Sequence, residues 1–399
     1  MIVVVGAGAA GLIAAIAVAG ARHDVSVLER TGEGGKKILI SGGGRCNVLP
    51  SQPALERFVT DSASHLLRGM LRSWPIDRQR AFFENDLRVP LALEAETGKL
   101  FPVSNRARDI RDALVDRARA LNVTFHFDTS LTALEPVERG WVVHTTHGPV
   151  SASRVILATG GLSVPATGSD GTGLALAESL GHRVNAVYPA LTPLTTTPAV
   201  HASLSGVSLN VRVRARVGKK VTEATGGFLF THRGYSGPSI LDVSHVAARH
   251  REAMIRIQWT SATAPEWEQL LAGDGGPRAL VSTVVATRVP QRLAFQLMEE
   301  AGVPFERRAG ELRRAERVAL IDRLTSYPLP WTGDEGFKKA EVTGGGIALE
   351  EVDPHTLESR KHSGLFLCGE ILDAFGPIGG HNFAWAWATG RLAGLGASR

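Results

Sequence analysis

The sequence predicts an α/β protein in which a parallel sheet with flanking helices is interrupted by an inserted β-rich and helical domain. The chain opens with a βαβ pattern, because β-branched runs at residues 2–5 and 25–28 enclose an alanine-rich stretch ending near Gly20. The sequence becomes rich in alternating strands after residue 190, and from residue 337 it returns to strands and glycine turns. We therefore expect one domain built from residues 1–190 and 337–399, with residues 191–336 inserted into it.

The remaining elements of the first domain follow the same pattern. A helical stretch at residues 106–121 precedes a strand at 123–127, as in a further parallel unit. Two alternating runs, 131–137 and 141–146, are joined by a short turn and lead to the apolar strand 154–158. This order predicts a small antiparallel meander that returns the chain to the parallel sheet. The closing helix is expected at about residues 382–395, after the last glycine turns.

The inserted domain divides into a strand-rich half, as far as residue 259, and a mostly helical half at residues 264–323. Period-two alternation is typical of a strand with one buried and one exposed face. The clearest example alternates small apolar residues with arginines: Val211, Arg212, Val213, Arg214, Ala215, Arg216 and Val217.

The composition narrows the class of protein. Of the 399 residues, 44% are hydrophobic, which is enough for two or three packed units. The two cysteines, Cys46 and Cys368, have no metal-ligand spacing, so the sequence predicts neither a disulfide framework nor a metal site. The apolar run at residues 2–20 is broken by glycines and lacks a basic leader. We expect a buried strand and helix there, no membrane segment, and a cytoplasmic protein.

The charge balance is mildly basic, with 44 Lys plus Arg against 39 Asp plus Glu and a net charge of +5. Basic residues are scattered, apart from a cluster between Arg307 and Arg317 whose spacing suits the solvated face of a helix. No aromatic residues are interleaved with them in the manner of an RNA-binding module. The sequence therefore argues against nucleic acid as a partner and predicts only weak, nonspecific attraction to RNA.

A glycine-rich turn between the first strand and the first helix carries the strongest local signal. Gly6 permits the tight turn, Gly8 lets the backbone approach a pyrophosphate, and Gly11 allows close helix packing, with Ala9 and Ala10 between them. The helix that follows offers free amides and a partial positive charge to phosphates. The spacing predicts a Rossmann-type dinucleotide site, although a glycine turn that binds nothing is the alternative.

An acidic residue at the end of the second strand strengthens this prediction. Glu29 stands where a carboxylate can accept hydrogen bonds from the ribose hydroxyls of an adenosine, and it would repel a 2′-phosphate. Arg30 follows it directly. No second glycine fingerprint follows another strand, so a nicotinamide cofactor is expected to bind only transiently or not at all.

Together with these residues, a series of motifs spread over the whole chain resembles the HI0933-like family of flavoproteins, relatives of the BaiN-type FAD-dependent oxidoreductases. The resemblance implies a Rossmann-type sheet that binds FAD, and an oxidoreductase activity. The matching segments are Gly-Lys-Lys-Ile-Leu-Ile-Ser-Gly-Gly-Gly-Arg-Cys-Asn at 35–47, Gly-Lys-Leu-Phe-Pro at 98–102, Ala-Thr-Gly-Gly at 158–161, Gly-Ser-Asp-Gly-Thr-Gly at 168–173, Phe-Thr-His-Arg-Gly-Tyr-Ser-Gly-Pro at 230–238, Thr-Gly-Gly-Gly at 343–346, and Cys-Gly-Glu followed by the block as far as residue 387.

The resemblance places the loop at residues 41–47 against the flavin side of FAD. Successive glycines expose backbone amides, and Arg45 can neutralise the charge of a phosphate or a reduced flavin. A glycine-rich surface loop is the alternative. The FAD contacts expected from the fingerprint and the family motifs are Gly6, Gly8, Ala9, Ala10, Gly11, Glu29, Arg30, Lys37, Ser41, Gly42, Gly43, Arg45, Asn47, Thr159, Gly160, Gly369, Glu370, Asp373, Gly379, Gly380, His381, Asn382, Phe383 and Ala384.

A second strong block follows the last strand. In related flavoproteins an acidic residue there binds the ribitol, so Glu370 and Asp373 are the candidates by position. The resemblance also implies that residues 379–384 direct backbone amides at flavin N1 and O2, where negative charge develops on reduction. His381 stands where many family members carry an aromatic residue, usually tyrosine.

The candidate catalytic residues are His381 and three residues of the inserted domain. His381 could donate a proton, with a structural histidine as the alternative. His232, Arg233 and Tyr235 lie beside glycines in a motif that the family retains, and a hairpin turn with satisfied polar groups is their alternative. Cys46 has no neighbouring resolving cysteine in the sequence, which argues against a redox thiol.

These observations predict an FAD-dependent oxidoreductase that reduces a small unsaturated or carbonyl-containing substrate by hydride transfer through flavin N5. NAD(P)H is a candidate transient electron donor. Two alternatives stay open, a flavin-dependent RNA-modifying or RNA-binding protein and a flavin electron carrier without an organic substrate. The sequence does not determine the oligomeric state.

Overall fold

The computed structural model describes residues 1–274 and 277–399, and within them the chain divides into two compact units. Unit 1 comprises Met1–Pro189 and Glu341–Arg399, and unit 2 comprises Ala190–Ala340. The assignment of these units to cofactor binding and to the substrate side stays a prediction. Residues 275–276, inside the stretch predicted to be helical, lie outside the described residues.

Unit 1 receives most of its elements before the insertion and completes its sheet and last helix after it. The strands before the insertion are β1 Ile2–Val5, β2 Val25–Leu28, β3 Leu49–Pro50, β4 Leu91–Glu94, β5 Lys99–Pro102, β6 Thr124–His126, β7 Leu131–Val137, β8 Gly140–Thr145, β9 Gly148–Ala152, β10 Arg154–Leu157 and β11 Val184–Ala190. The helices there are α1 Ala9–Gly20, α2 Lys36–Ile40, α3 Ser64–Arg72, α4 Ile76–Ala81, α5 Ala107–Ala120 and α6 Thr172–Ser179.

Unit 2 and the last part of unit 1 follow in chain order. Unit 2 contains the strands β12 Leu194–Thr195, β13 Ser208–Val217, β14 Lys220–Thr231, β15 Gly234–Ser236, β16 Met254–Gln258, β17 Tyr327–Pro328 and β18 Gly333–Asp334. Its helices are α7 Pro238–Arg249, α8 Ala264–Gln269, α9 Val281–Ala286, α10 Gln291–Glu300 and α11 Arg314–Thr325. The chain closes with β19 Val342–Ile347, β20 Leu365–Leu367 and α12 His381–Ala397.

A five-stranded parallel sheet forms the centre of unit 1, in the order β20-β10-β1-β2-β6. Strands β1 and β2 consist mainly of valine, isoleucine and leucine and are buried along their whole length. Such continuous apolar runs are typical of parallel strands that helices cover on both faces. The predicted α/β fold with a Rossmann-type parallel sheet is therefore confirmed. Small antiparallel sheets, β7-β8-β9 and β3-β5-β4, lie beside it.

Helices α1 and α12 pack together so closely that only glycine fits at several positions. A Cβ atom on Gly390 would lie 2.3 Å from the carbonyl oxygen of Ala10, and one on Gly394 would lie 2.5 Å from that of Ala14. Distances this short require the backbone of one helix to move. Glycines in α12 therefore determine how near its first turn comes to the loop that precedes α1.

Unit 2 is built on a seven-stranded sheet in the order β17-β16-β13-β14-β15-β12-β18. Its pairings are antiparallel, and along β13 buried apolar residues alternate with exposed arginines at residues 211–216. Helix α7 packs against β13 and β14. The inserted β-rich and helical domain predicted from the sequence is present in these elements.

The sequence-based interpretation of residues 191–259 as strand-rich missed helix α7, which lies inside that range. Its apolar residues, among them Ile240, Val243 and Val246, are buried at helical spacing. Pro238 at the first turn is a helix-start signal. The β-branched content of the segment concealed this signal, because burial against a sheet overrides a weak local propensity.

None of the helices in the described part of the chain is both long enough and apolar enough to span a bilayer.

The packing of α1 on α12 gives a stability prediction. We expect Gly390→Ala to lower the free energy of unfolding by about 1–3 kcal/mol, since the added methyl meets the Ala10 carbonyl. The matched control is Gly69→Ala in the exposed middle of α3, where a Cβ meets no atom within 4 Å. That change should stabilise the protein by about 0.5–1 kcal/mol. Urea unfolding of both variants checks this, and equal effects would show that α1 and α12 pack less tightly.

Candidate functional site

A cavity of about 550 Å³ opens at the carboxyl ends of the central strands of unit 1. The ends of β1 and β2, Val5 and Leu28, line it together with Ala158, which directly follows β10. Ligands of open parallel sheets bind at this edge, where the loops after neighbouring strands meet. The cavity is large enough for most of a dinucleotide.

The glycine loop after β1 forms one wall of the cavity, and its geometry requires glycine at specific positions. Gly6 has a φ of +102°, and a Cβ there would lie 2.5 Å from the carbonyl oxygen of Ala158. A Cβ on Gly11 would lie 1.8 Å from the carbonyl oxygen of Gly6. Above Gly8 there is no atom within 4 Å of where a Cβ would lie, so a phosphate can approach the backbone there.

Glu29 is buried at the end of β2 and is fixed by the surrounding backbone. One carboxylate oxygen accepts a hydrogen bond from the Ala7 amide at 2.8 Å. The other accepts from the Thr31 amide at 2.9 Å and from the Thr31 hydroxyl at 2.8 Å. The carboxylate lines the cavity with its position already set, as ribose recognition requires.

Two polar side chains that line the cavity, Lys37 and Glu370, form a network with the buried Ser163. The Lys37 ammonium donates to Glu370 Oε2 at 2.6 Å, and the Ser163 hydroxyl connects to both residues. Glu370 Oε1 also accepts from the Thr343 amide at 2.9 Å. Lys37 and Glu370 are mostly buried, with 25% and 18% of their side chains exposed, so each needs the other as a counter-charge.

The loop at residues 41–47 presents backbone to the cavity, as its glycines predict. Gly42 and Gly43 have positive φ values of 55° and 67°. The Arg45 guanidinium lies 3.9 Å from the ring centroid of Phe101, and it donates to Glu94 at 3.1 Å. Arg45 is therefore held at the cavity by an aromatic ring and a carboxylate.

The N-terminus of α12 faces the same cavity. Gly379 and Gly380, with φ values of +118° and +92°, form the turn before the helix. With its amide group in the orientation that satisfies both atoms, Asn47 accepts a hydrogen bond from the Gly380 amide at 3.0 Å. The Asn382 side chain accepts from the Gly376 amide at 2.8 Å and donates to its carbonyl at 3.0 Å. Together these bonds fix the entrance to the helix.

Most of the predicted FAD contacts lie together around this cavity. Four of the predicted residues, Gly11, Asp373, His381 and Ala384, are not part of its lining. Those that line it are Gly6, Gly8, Ala9, Ala10, Glu29, Arg30, Lys37, Ser41, Gly42, Gly43, Arg45, Asn47, Thr159, Gly160, Gly369, Glu370, Gly379, Gly380, Asn382 and Phe383.

Asp373 has a structural role in this arrangement. Its side chain is buried, and Oδ2 accepts hydrogen bonds from the Thr60 hydroxyl, the Asp61 amide, the Ser62 hydroxyl and the Asn185 amide group. These donors lie 2.7–3.1 Å away. The carboxylate therefore ties the segment at residues 60–62 to the end of the sheet, and Glu370 is the acidic residue of this block that reaches the cavity.

His381 and Cys46 are buried in ways that limit their chemistry. Burial, with a smaller contribution from the Arg57 charge, lowers the pKa of His381 to about 4, so the imidazole is neutral at neutral pH. The ring packs edge-on against Phe58 at 6.0 Å. Burial raises the pKa of the Cys46 thiol to about 12, so the reactive thiolate is not populated. Both observations favour structural roles.

The other catalytic candidates belong to unit 2. His232 and Arg233 are exposed in the turn between β14 and β15. Tyr235 is fully buried, and its hydroxyl is 2.8 Å from Nδ1 of His201. Burial raises the pKa of Tyr235 further above its ordinary value, which makes its hydroxyl a weaker acid. Within unit 2 this tyrosine packs as a core residue.

The structure also brings residues to the cavity that were not among the predicted contacts. Asp170 forms an ion pair with Arg30, and Lys99 and Phe101 line the cavity near Arg45. The sequence did carry a signal for three of these residues, because the motifs at 98–102 and 168–173, which carry the family resemblance, contain Lys99, Phe101 and Asp170. Ser163 had no such signal, because its role depends on the fold bringing Lys37 and Glu370 together. Among the described residues no cluster of His, Cys, Asp and Glu could hold a metal ion.

The buried histidine predicts a pH dependence of stability. An unfolded chain binds a proton at His381 below about pH 6.5, whereas the folded protein binds it only near pH 4. Stability contributed by the neutral ring should therefore be lost as the pH falls from about 6.5 to 4, by up to about 3 kcal/mol. We expect His381→Phe to reduce the pH slope of the urea-unfolding free energy over this range, leaving the part contributed by the other buried histidines whose pKa burial lowers, His182 and His245. His65→Phe, on the exposed face of α3, is the control, and a slope that both variants share would assign the effect elsewhere.

Several known proteins are similar to this chain over most of its length. The chain is 33% identical over 409 residues to a 3-dehydro-bile acid delta(4,6)-reductase of Clostridium scindens, with 99% of this chain and 98% of that protein covered. It is 30% identical to a ribosomal RNA dihydrouridine synthase of Escherichia coli, with 97% and 95% covered. The solved structure of a 3-ketosteroid delta1-dehydrogenase from Sterolibacterium denitrificans shares the fold, with a TM-score of 0.52, 14% identity, and 100% and 99% of the two chains covered.

A family model described as the HI0933-like protein Rossmann domain matches residues 1–396. This match covers nearly the whole chain, and the similarity to the Clostridium scindens reductase also extends over nearly its whole length. Both findings confirm the resemblance inferred from the motifs. The chain therefore belongs to the HI0933-like family.

Proposed function

We propose that this protein is an FAD-dependent reductase of a carbon–carbon double bond conjugated to a carbonyl group. One observation carries the proposal: the cavity of unit 1 brings together the glycine loop after β1, the fixed Glu29 carboxylate and the N-terminus of α12. Each of these three features recognises a different part of FAD.

The residues around the cavity fit FAD. The open space above Gly8 and the N-terminus of α1 would receive the pyrophosphate, and Glu29 would accept hydrogen bonds from the adenosine ribose. Glu370 would contact the ribitol. Bound FAD supplies hydride transfer through its N5 atom.

The protein's contribution to the reaction is mainly electrostatic. Free amides and the positive dipole end of α12 would stabilise the negative charge that the flavin gains on reduction. The neutral His381 in the first turn adds no charge there. His232 and Arg233 remain candidates for substrate contact, since both are exposed in their turn.

The chemistry named for the relatives supports this substrate class. A delta(4,6)-reductase of a 3-dehydro-bile acid saturates double bonds conjugated to the 3-oxo group. A dihydrouridine synthase saturates the uracil double bond, which is also conjugated to a carbonyl. Both reactions place a hydride on an electron-poor carbon and a proton on its neighbour. We propose a small enone as the substrate, with NAD(P)H as a transient electron donor.

The first test is the identity of the cofactor. Purified protein should release FAD, and neither FMN nor NAD, when it is extracted with acid and the chromophore is identified by mass. We expect Glu29→Ala to weaken FAD binding by about 10–100-fold, because it removes charge-assisted hydrogen bonds to the ribose. Glu84→Ala, which removes an ion-pair partner of Arg80 away from the cavity lining, is the control. A colourless protein that gains no flavin signal when FAD is added would contradict the proposal.

The second test is turnover. Anaerobic reduction with NADH, NADPH or no donor should identify a donor, and the reduced protein should then be reoxidised by enones faster than by saturated ketones of the same skeleton. Reoxidation by protein or dye acceptors alone, with no enone reduced, would replace the proposal with the electron-carrier alternative.

A second candidate function is the reduction of uracil in RNA. The similarity to the Escherichia coli synthase favours it, since that similarity extends over nearly the full length of both chains. Incubation of reduced protein with a uridine-containing transcript should then yield nucleosides heavier by two hydrogens. If the protein reduces small enones and yields no such nucleosides, only the first candidate, the reduction of a small enone, stays supported.

A further inference from the structure

An exposed face of the unit 2 sheet carries a concentration of arginines. Arg212, Arg214 and Arg216 alternate along β13 with buried apolar residues, and all three point to the solvent-exposed side of the strand. Arg256 of the neighbouring strand β16 is exposed on the same side. We name these four arginines the basic face. The alternation was visible in the sequence, but the contribution of β16 depends on the strand pairing.

The arrangement of the basic face is unfavourable for the fold by itself. Arg214 lies directly opposite Arg256 in the pairing of β13 with β16, and like charges in such cross-strand pairs are destabilising. Glu223 on β14 pairs with Arg214 at 2.7 Å and is the carboxylate facing this group. Arg256 also donates to the Ser326 carbonyl at 2.9 Å. Among the described residues that pair with these arginines across the sheet, Glu223 is the one carboxylate, so the paired positions leave a net positive charge on this face.

Two members of the basic face have free guanidinium groups. Neither Arg212 nor Arg216 has a hydrogen-bond or ion-pair partner among the described residues. Their neighbours across the sheet are neutral, with Gln258 and Thr225 beside Arg212. Lys219, in the exposed turn that joins β13 to β14, adds further positive charge at one end. The unpaired arginines are therefore available to an external anion.

The spacing of the arginines indicates which anion. Alternate residues of a strand are about 6.7 Å apart, so β13 presents three guanidinium groups in a line at that interval. Successive phosphates of an extended nucleic acid strand have a comparable separation. A guanidinium group binds a phosphate through two parallel hydrogen bonds, which a single lysine charge does not provide.

We propose that the basic face binds the phosphodiester backbone of RNA, with Arg212 and Arg216 contacting phosphates on either side of Arg214. This inference rests on the second candidate function, in which the reductase acts on uracil in RNA. The residues paired with Arg212 are polar, and none of the residues paired with the four arginines is aromatic, so backbone contact without base stacking is expected. Anionic lipid is less well matched, because the exposed apolar residues Val221 and Met254 both lie at the Arg216 end of the face, whereas Arg212 is flanked by the polar Thr225 and Gln258.

The test measures binding of the full-length flavoprotein to a fluorescein-labelled oligouridylate over a salt series. We expect Arg212→Gln/Arg216→Gln to weaken binding and to reduce the slope of log affinity against log salt by about 1–2, since two phosphate contacts are lost. Arg212→Lys/Arg216→Lys should retain most of the slope, because it keeps both charges. Arg288→Gln/Arg314→Gln is the matched control, with the same change of net charge at exposed residues outside the basic face.

Further measurements distinguish the failure of this proposal from that of the function it rests on. Flavin content and enone reduction are recorded for every preparation, and they should be the same in all three double variants and in the original protein. If both glutamine variants are yellow and active, and Arg212→Gln/Arg216→Gln has the same RNA affinity and salt slope as its control, the proposed role of the basic face is overturned. Loss of binding to phosphatidylserine vesicles in the glutamine pair, with unchanged RNA binding, overturns it in favour of a lipid surface. If the purified protein contains no flavin, the reductase proposal is contradicted, and the RNA titration still tests whether the basic face binds RNA.

Discussion

The candidate site depends on the close approach of backbone to backbone where the central sheet meets helices α1 and α12. Gly6 and Gly11 let the loop after β1 fold against the segment after β10, and Gly390 lets α12 lie directly on α1. A methyl group at any of these positions would meet a carbonyl oxygen at 2.5 Å or less. The consequence is a cavity whose lining includes both the N-terminus of α12 and the open space above Gly8. Packing density, rather than any single polar contact, sets the shape of the site.

Polar groups in this cavity are held by partners within unit 1. Glu29 is fixed by two amides and a hydroxyl, and Lys37 is paired with Glu370. Pairing of this kind keeps buried charges from destabilising the fold while their positions are already set for a ligand. Asp373 is held in the same way. Its carboxylate accepts four hydrogen bonds that fix the chain near the cavity, and Asp373 itself does not line the cavity.

The two candidate substrates share the reacting group and differ in what surrounds it. A conjugated carbonyl is common to an enone and to uracil, so one flavin environment serves both. Discrimination between a small molecule and an RNA must then come from surfaces away from the reacting atoms. In unit 2 the opposition of Arg214 and Arg256 is a cost to the sheet that binding to a polyanion would offset.

The sequence by itself determined the βαβ start, the fingerprint glycines, Glu29 and the closing helix, because each depends on local periodicity or on a residue type that its backbone conformation requires. Most of the FAD contacts predicted from the fingerprint and the family motifs also line the cavity. Helix α7, the joining of Ser163 to Lys37 and Glu370, and the structural role of Asp373 were decided only by the tertiary structure. Those features depend on partners more than 100 residues away or on burial against a sheet. Local sequence carries no signal for such partners, since they meet only when the core has packed.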